Sequence, residues 1–152
     1  MIRAANARDF LRIAELDRTC WGDNRHSTYI PDGEHVWRIW CEHAIVAVAE
    51  IEGEISGAVL AFPCESGLYC LHKVFVDPAV RGGGVGIALM KHVLALADER
   101  GLTLFLTVDP DNAKALSLYR SVGFSRDRFV QGYYRKNEDR LVLTRLPRRS
   151  RI

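Results

Sequence analysis

The stretch from Val74 to Arg100, VFVDPAVRGGGVGIALMKHVLALADER, constrains this chain more than any other. An apolar run leads into Asp77-Pro78, four glycines occupy the five positions 82–86, and an amphipathic pattern follows at once. These signals predict a strand, a turn, a glycine loop and a helix. Glycines just before a helix leave backbone N–H groups unshielded, so a ligand can approach them closely. The helix dipole adds partial positive charge there, which favours an anion, phosphate or pyrophosphate before others. An ordinary helix-entry loop would also use this place in the chain. Yet each glycine costs ~0.5–1 kcal/mol in conformational freedom relative to alanine, so the cluster calls for a reason.

Two nucleotide loops are excluded by their spacing. A Walker loop needs Gly-Lys-Ser/Thr, whereas Gly86 is followed by Ile87 and Ala88. A dinucleotide fingerprint needs Gly at 87 if it starts at Gly82, or Gly or Ala at 89 if it starts at Gly84; Ile87 and Leu89 stand there. The phrase that remains is R-x-x-G-x-G, Arg81 to Gly86.

At 152 residues the chain suits one domain, expected over 1–147 with a short basic tail at 148–152. With 48% hydrophobic and 26% charged residues it reads as an ordinary globular chain, and no apolar run approaches the ~20 residues of a membrane span. No membrane association is expected. The first residues lack an apolar signal core, so the expected compartment is the cytoplasm. A net charge of +2 gives no footprint for nucleic acid, and the basic cluster Arg145, Arg148, Arg149 and Arg151 is expected to be solvated. Cys20, Cys41, Cys64 and Cys70 form no C-x-x-C pair, and Cys41-x-His43 and Cys70-x-His72 lack the second pair of a zinc site. Buried free thiols and no metal are expected.

In chain order, Ile2 to Ala5 predicts a strand, and Asn6 with Asp9 a capping pair for a helix from about Ala7 to Arg18. Thr19 to Gly33 is expected to be a loop; its Trp21, His26 and Tyr29 fit a pocket lining and packing over the core equally well. Glu34 to Glu42 suits a helix whose Trp37 and Trp40 belong to the core. Ala44 to Glu50 and Glu54 to Phe62 make a hairpin, and Leu68 to Val76 a third strand. The helix after the loop turns Leu89, Met90, Val93, Leu96 and Ala97 inward and Lys91, Asp98 and Glu99 outward, ending at Gly101. Leu102 to Val108 alternates as a strand, which implies a parallel crossover. A helix opened by Asp109-Pro110-Asp111-Asn112 and two closing antiparallel strands complete the chain.

Asn112 and Tyr119 lie about two helical turns apart, on one face. Their phrase, N-A-K-A-L-S-L-Y-R-S-V-G-F, and the loop Arg81–Gly86 together resemble the two signatures of the GNAT superfamily of N-acetyltransferases, in family order. The resemblance covers roughly the second two-thirds of the chain. It implies an α/β (α+β) fold in which a mixed, mostly antiparallel central sheet is flanked by helices. Leu68–Val76 and Leu102–Val108 would splay apart to form a slot for acetyl-CoA, the co-substrate. Val74, Phe75 and Val76, then Arg81, Gly82, Gly83, Gly84, Val85, Gly86 and Ile87, and finally Asn112 are the implied cofactor contacts. The Val76 N–H would polarise the acetyl carbonyl in an oxyanion-type role.

The implied reaction moves an acetyl group to a primary amine by direct attack through a tetrahedral intermediate. Tyr119 is the candidate acid, since a phenol of pKa ~10 can protonate a thiolate near ~8.5. His72 is the candidate base: imidazole suits a relay near neutrality, and Leu71 to Val76 is similar to the strand of arylalkylamine N-acetyltransferases, where a His at this place relays protons. A purely structural histidine on a half-buried strand fits the pattern equally, and Glu65 is a weaker candidate. Cys70, on the face of His72, offers a covalent route as a minor variant. The C-terminal run Gly132-Tyr133-Tyr134, Glu138-Asp139, Leu141-Val142-Leu143 looks like that of ribosomal-protein alanine N-acetyltransferases, yet the position of their Glu base is Thr107, which cannot act as a base near pH 7. A small-molecule amine is therefore the first expected acceptor and a peptide N-terminus the second. A non-catalytic acetyl-CoA-binding module would have no need of Tyr119 or of a base, and a dinucleotide-binding oxidoreductase fragment is disfavoured by Ile87 and Leu89. A homodimer is compatible with the sequence and not required by it.

Overall fold

The computed structural model describes residues 1–23 and 30–149. His26, Tyr29 and Arg151 lie outside the described residues. The elements are β1 (Ile2–Ala4), α1 (Phe10–Asp23), α2 (Glu34–His43), β2 (Ile45–Ile51), β3 (Glu54–Pro63), β4 (Tyr69–Val76), α3 (Val85–Arg100), β5 (Leu104–Val108), α4 (Ala113–Ser121), β6 (Arg126–Val130) and β7 (Arg140–Arg145). Strand order is β1-β2-β3-β4-β5-β7-β6. β4 pairs with β5 in parallel, whereas β1 with β2, β2 with β3, β5 with β7 and β6 with β7 run antiparallel. A mixed, mostly antiparallel seven-stranded sheet with helices is the class expected from the sequence. Among the described residues, no helix is long and apolar enough to cross a membrane.

Two compact units are present. One comprises Met1–Phe62 and Lys73–Ala95, the other Pro63–His72 and Leu96–Ile152, so the division falls before the last residue of β3, inside β4 and inside α3.

In the first unit, Asn6 and Asp9 form the expected capping box, but on a single 3₁₀ turn, Ala7–Asp9. α1 follows and extends to Asp23, into the segment expected to be loop. Thr19 stays in the helix with its hydroxyl donating back to the Glu15 carbonyl (3.1 Å), and Cys20 reaches the core at 4% exposure, a burial that favours the longer helix. The β2–β3 hairpin turns at Glu52 and Gly53, both with positive φ (52° and 81°), and these two-residue geometries match the right-handed twist of the strands. Its core gathers Ile13, Leu16, Trp37, Val46, Val48, Ala58, Leu60 and Phe75. Trp37 is fully buried edge-on against Phe75, while Trp40 is half-buried and stacked on Phe62.

Sequence did not anticipate the charge inside this core. Lys73 is 7% exposed and Asp17 is not exposed at all. The Lys73 ammonium meets both Asp17 oxygens (3.1 and 3.0 Å), the Asp32 carboxylate (2.8 Å) and the Ile30 carbonyl (2.6 Å). Asp17 also accepts from Trp37 Nε1 (3.0 Å) and from the Asp32 amide (2.9 Å). Buried charge survives in a protein interior when it is paired and hydrogen-bonded in this way.

In the second unit, α3 closes with Gly101 in the left-handed region (φ 68°): the Leu102 amide donates to Ala97 O (2.8 Å) and the Gly101 amide to Asp98 O (3.3 Å). Leu102 is thereby spent on the helix end, which is why β5 begins at Leu104 rather than Leu102. Leu104, Leu106 and Val108 are buried, as their alternation predicts. The basic tail is corrected at one residue. Arg145 is 2% exposed, bonds both Asp98 oxygens (2.8 and 3.0 Å) and donates to Val122 O (2.8 Å). Asp98, expected to point outward, also accepts from the Arg148 amide (2.8 Å). All four cysteines are free; Cys20 and Cys70 are buried, while Cys41 and Cys64 are half-buried.

Candidate active site

The first unit holds the glycine loop. β4 ends at Val76, Asp77 caps a 3₁₀ turn over Pro78–Val80 through the Ala79 amide (3.0 Å), and the chain then enters Arg81–Gly84. Gly82 and Gly84 have φ of +90° and +79°, conformations that side-chain-bearing residues rarely adopt. A Cβ built on either would meet nothing within 4 Å, so open space faces the backbone there. Gly86 is different: its Cβ would contact Val76 Cγ2 at 3.5 Å and Val74 Cγ1 at 3.9 Å, which places the start of α3 on the Val74–Val76 face of β4. The first α-helical bond runs from the Ala88 amide to Gly84 O (3.0 Å). By helix geometry the amides of Val85, Gly86 and Ile87 therefore have no intrahelical acceptor. No acidic residue stands in the first turn of α3 to compete for that positive end. The Val76 carbonyl accepts from Arg81 Nε (3.1 Å) and from the Cys20 thiol (3.4 Å), which ties the loop to the strand end. Phe75 points the other way, into the core. The loop can thus receive a diphosphate on backbone N–H groups, with room that a side chain would fill.

The second unit holds the remaining candidates. Asn112 is the N-cap of α4, and its Oδ1 accepts from the Ala115 amide (3.1 Å). Tyr119 lies half-buried on the same helix, edge-on to Phe124 with ring centroids 5.9 Å apart. Burial raises its phenol above the ordinary value, so the hydroxyl holds its proton at neutral pH. His72 is exposed on β4. Cys70 is 9% exposed, and burial pushes its thiol up to about 12. A nucleophilic cysteine needs the thiolate, so the covalent variant has little chemical support here. Glu65 is exposed in the turn before β4.

Thr107 has a partner that the sequence did not suggest. Its hydroxyl and that of Tyr134 lie 2.8 Å apart, either one able to donate. Tyr134 packs edge-on against Tyr133 (4.7 Å), with the Arg140 guanidinium 5.3 Å from its ring centroid. The hairpin between β6 and β7 is fixed by the Gly132 amide on Asp139 Oδ1 (2.8 Å) and the Tyr133 amide on Glu138 O (2.9 Å). Both residue types were in view in the sequence, but a contact across 27 positions leaves no periodic trace.

Comparison with known proteins follows the same direction. The model of the acetyltransferase (GNAT) family matches residues 10–124. The N-alpha-acetyltransferase RimI of Mycobacterium tuberculosis is 46% identical over 67 residues, 44% of this chain and 41% of that protein. The chain spans under half the length of that relative. The peptidyl-lysine N-acetyltransferase YjaB of Escherichia coli is 30% identical over 116 residues, 61% of this chain and 76% of YjaB. Two solved structures share the fold: the ribosomal-protein-S18-alanine N-acetyltransferase of Escherichia coli (TM-score 0.80, 21% identity, 99% of this chain and 96% of that one) and yncA of Salmonella typhimurium, solved with its cofactor acetyl-CoA (TM-score 0.78, 19% identity, 100% and 96%).

Proposed function

Because the chain belongs to the acetyltransferase (GNAT) family, we propose that it is an acetyl-CoA-dependent N-acetyltransferase acting on an amine of a protein or peptide. The observation that carries the cofactor is the loop: Gly82 and Gly84 at positive φ with open space before them, at the acid-free start of α3. The amides of Val85, Gly86 and Ile87 would take the diphosphate. Main-chain groups of Val74 and Val76 would hold the pantetheine arm, and Asn112 would contribute from α4. Bound acetyl-CoA supplies the thioester.

The amine attacks the thioester carbonyl directly. His72 takes the amine proton, itself or through water, the Val76 N–H supports the carbonyl oxygen, and Tyr119 returns a proton to the departing sulfur. The named activities of the matched relatives, N-alpha-acetyl and peptidyl-lysine transfer, favour a protein amine over the small amine expected from the sequence. Thr107, where a Glu would stand in the ribosomal-protein alanine enzymes, leaves His72 as the candidate base for either acceptor.

Release of CoA thiol should be followed with peptides exposing N-terminal Ala, Ser or internal Lys, against polyamines and arylalkylamines. Turnover should appear with a peptide pool, fall roughly 10- to 1000-fold in Tyr119→Phe, and leave acetyl-CoA affinity within about twofold. Turnover with small amines alone would refute the protein acceptor. An unchanged rate in Tyr119→Phe would remove the phenol from the chemistry, and an unchanged acid side of the rate profile in His72→Ala would remove the imidazole.

A further inference from the structure

We propose that Arg81 is a positioning residue for the cofactor diphosphate: its Nε–H closes the turn between β4 and the glycine loop on the Val76 carbonyl, and this directed bond, not the charge of the guanidinium, is what acetyl-CoA binding draws from the side chain. The inference rests on the acetyltransferase reading above, and every residue in it belongs to the first unit.

The peptide that joins Val76 to Asp77 is held on both sides. Its N–H donates to Ser56 O on β3 (2.8 Å), and its carbonyl accepts from Arg81 Nε (3.1 Å) and from the Cys20 thiol of α1 (3.4 Å). The turn that follows is bonded to the same corner: Asp77 Oδ1 takes the Ala79 amide (3.0 Å) and Asp77 O takes the Val80 amide (3.0 Å). Arg81, five residues after Val76, then returns the chain to the point where the strand ended.

The next three residues have no side chains with which to anchor themselves. Gly82 and Gly84 hold their positive φ in open space, and a loop of this kind loses conformational freedom when a ligand orders it. Fixing its two ends before the ligand arrives lowers that cost. The far end is fixed by α3, through the Ala88 amide on Gly84 O (3.0 Å), and the near end by the Arg81 bond. The side chain thus sets the direction in which the glycines leave the strand.

Side-chain chemistry separates the bond from the charge. Gln carries a nitrogen at the same number of bonds from Cα as Arg Nε, so it can donate from the same place without charge. Lys keeps the charge but has a methylene there, and its ammonium lies one atom further out. Arg81 is exposed, so neither replacement disturbs the core.

The test is calorimetric affinity for acetyl-CoA in Arg81→Lys and Arg81→Gln, each in the full chain. Arg81→Lys should weaken binding about fivefold, the scale of one hydrogen bond, and Arg81→Gln should stay within about twofold of wild type. Without ligand, amide exchange at residues 82–87 should quicken in Arg81→Lys and not in Arg81→Gln, while the melting temperature stays the same in all three proteins. The reverse order, affinity kept by Lys and lost by Gln, assigns the side chain to charge and overturns the proposal. Equal losses in both variants, losses in neither, or a fall in affinity that tracks a fall in melting temperature overturn it too. In each of those cases wild-type binding leaves the cofactor reading standing. A wild type that binds no acetyl-CoA refutes that reading itself, and the proposal falls with it.

Discussion

The two faces of β4 are built on opposite plans. Val74 and Val76 line one face and meet the glycine loop and the first turn of α3, where the proposed cofactor contacts rest on backbone: amides, a left-handed φ, and space left by absent side chains. Lys73 and Phe75 line the other, where everything rests on side chains drawn from α1, α2 and the segment between them. The first plan is local in sequence and the second is not. The proposed main-chain site can be written in six consecutive residues, Arg81 to Gly86, whereas the ionic cluster needs positions 17, 32 and 73 to meet.

The comparison breaks most sharply at Lys73→Met. Removing one partner of a buried pair strands the other, so chemical denaturation should show a loss of about 3–5 kcal/mol. The folded fraction should still bind acetyl-CoA with near wild-type affinity. Near wild-type stability would mean that Asp17 is satisfied without the ammonium, and the contrast between the faces would dissolve. The reciprocal change, Gly84→Val, should do the opposite. Calorimetry should find acetyl-CoA bound about tenfold more weakly or worse, because a branched side chain fills the space before the loop and its backbone resists φ of +79°. The strain adds a stability cost of about 1–3 kcal/mol, smaller than that of Lys73→Met. Wild-type affinity would contradict the loop assignment.

Much of the fold could be read in advance for the same reason that the loop could. The hairpin at Glu52-Gly53, the close of α3 at Gly101 and the alternation of Leu104, Leu106 and Val108 are all local patterns. α1 outran its expected end because burial of Cys20 in the core favours continuing the helix, whereas composition alone favoured a loop. Lys73 did leave a faint signal: it stands between Leu71 and Phe75 at period two, so it had to face inward with them. Arg145 stands in the same relation to buried Leu143 on β7. In both cases a charged residue in an apolar register asks for a partner, and only the tertiary structure supplies its identity. Thr107 is the converse, since its missing carboxylate was noticed while its hydroxyl partner, Tyr134, lay beyond any local pattern.

The Asp98–Arg145 pair has a consequence for tolerance to acid. The Arg145 hydrogen bonds, opposed by partial burial and aided by the Arg148 amide, hold the Asp98 carboxyl below the ordinary carboxylate range. A group depressed in the folded state lends stability that is fully present above its unfolded pKa of ~3.9 and is lost as pH falls through the folded value. The closure of β7 onto the end of α3 should therefore be indifferent to protons near neutrality. Thermal unfolding followed from pH 7 to pH 2 should show Asp98→Asn less stable than wild type at neutral pH, with the two melting temperatures converging at the acid end. A gap that persists unchanged to pH 2 would mean that the proton on Asp98 has no part in holding this corner.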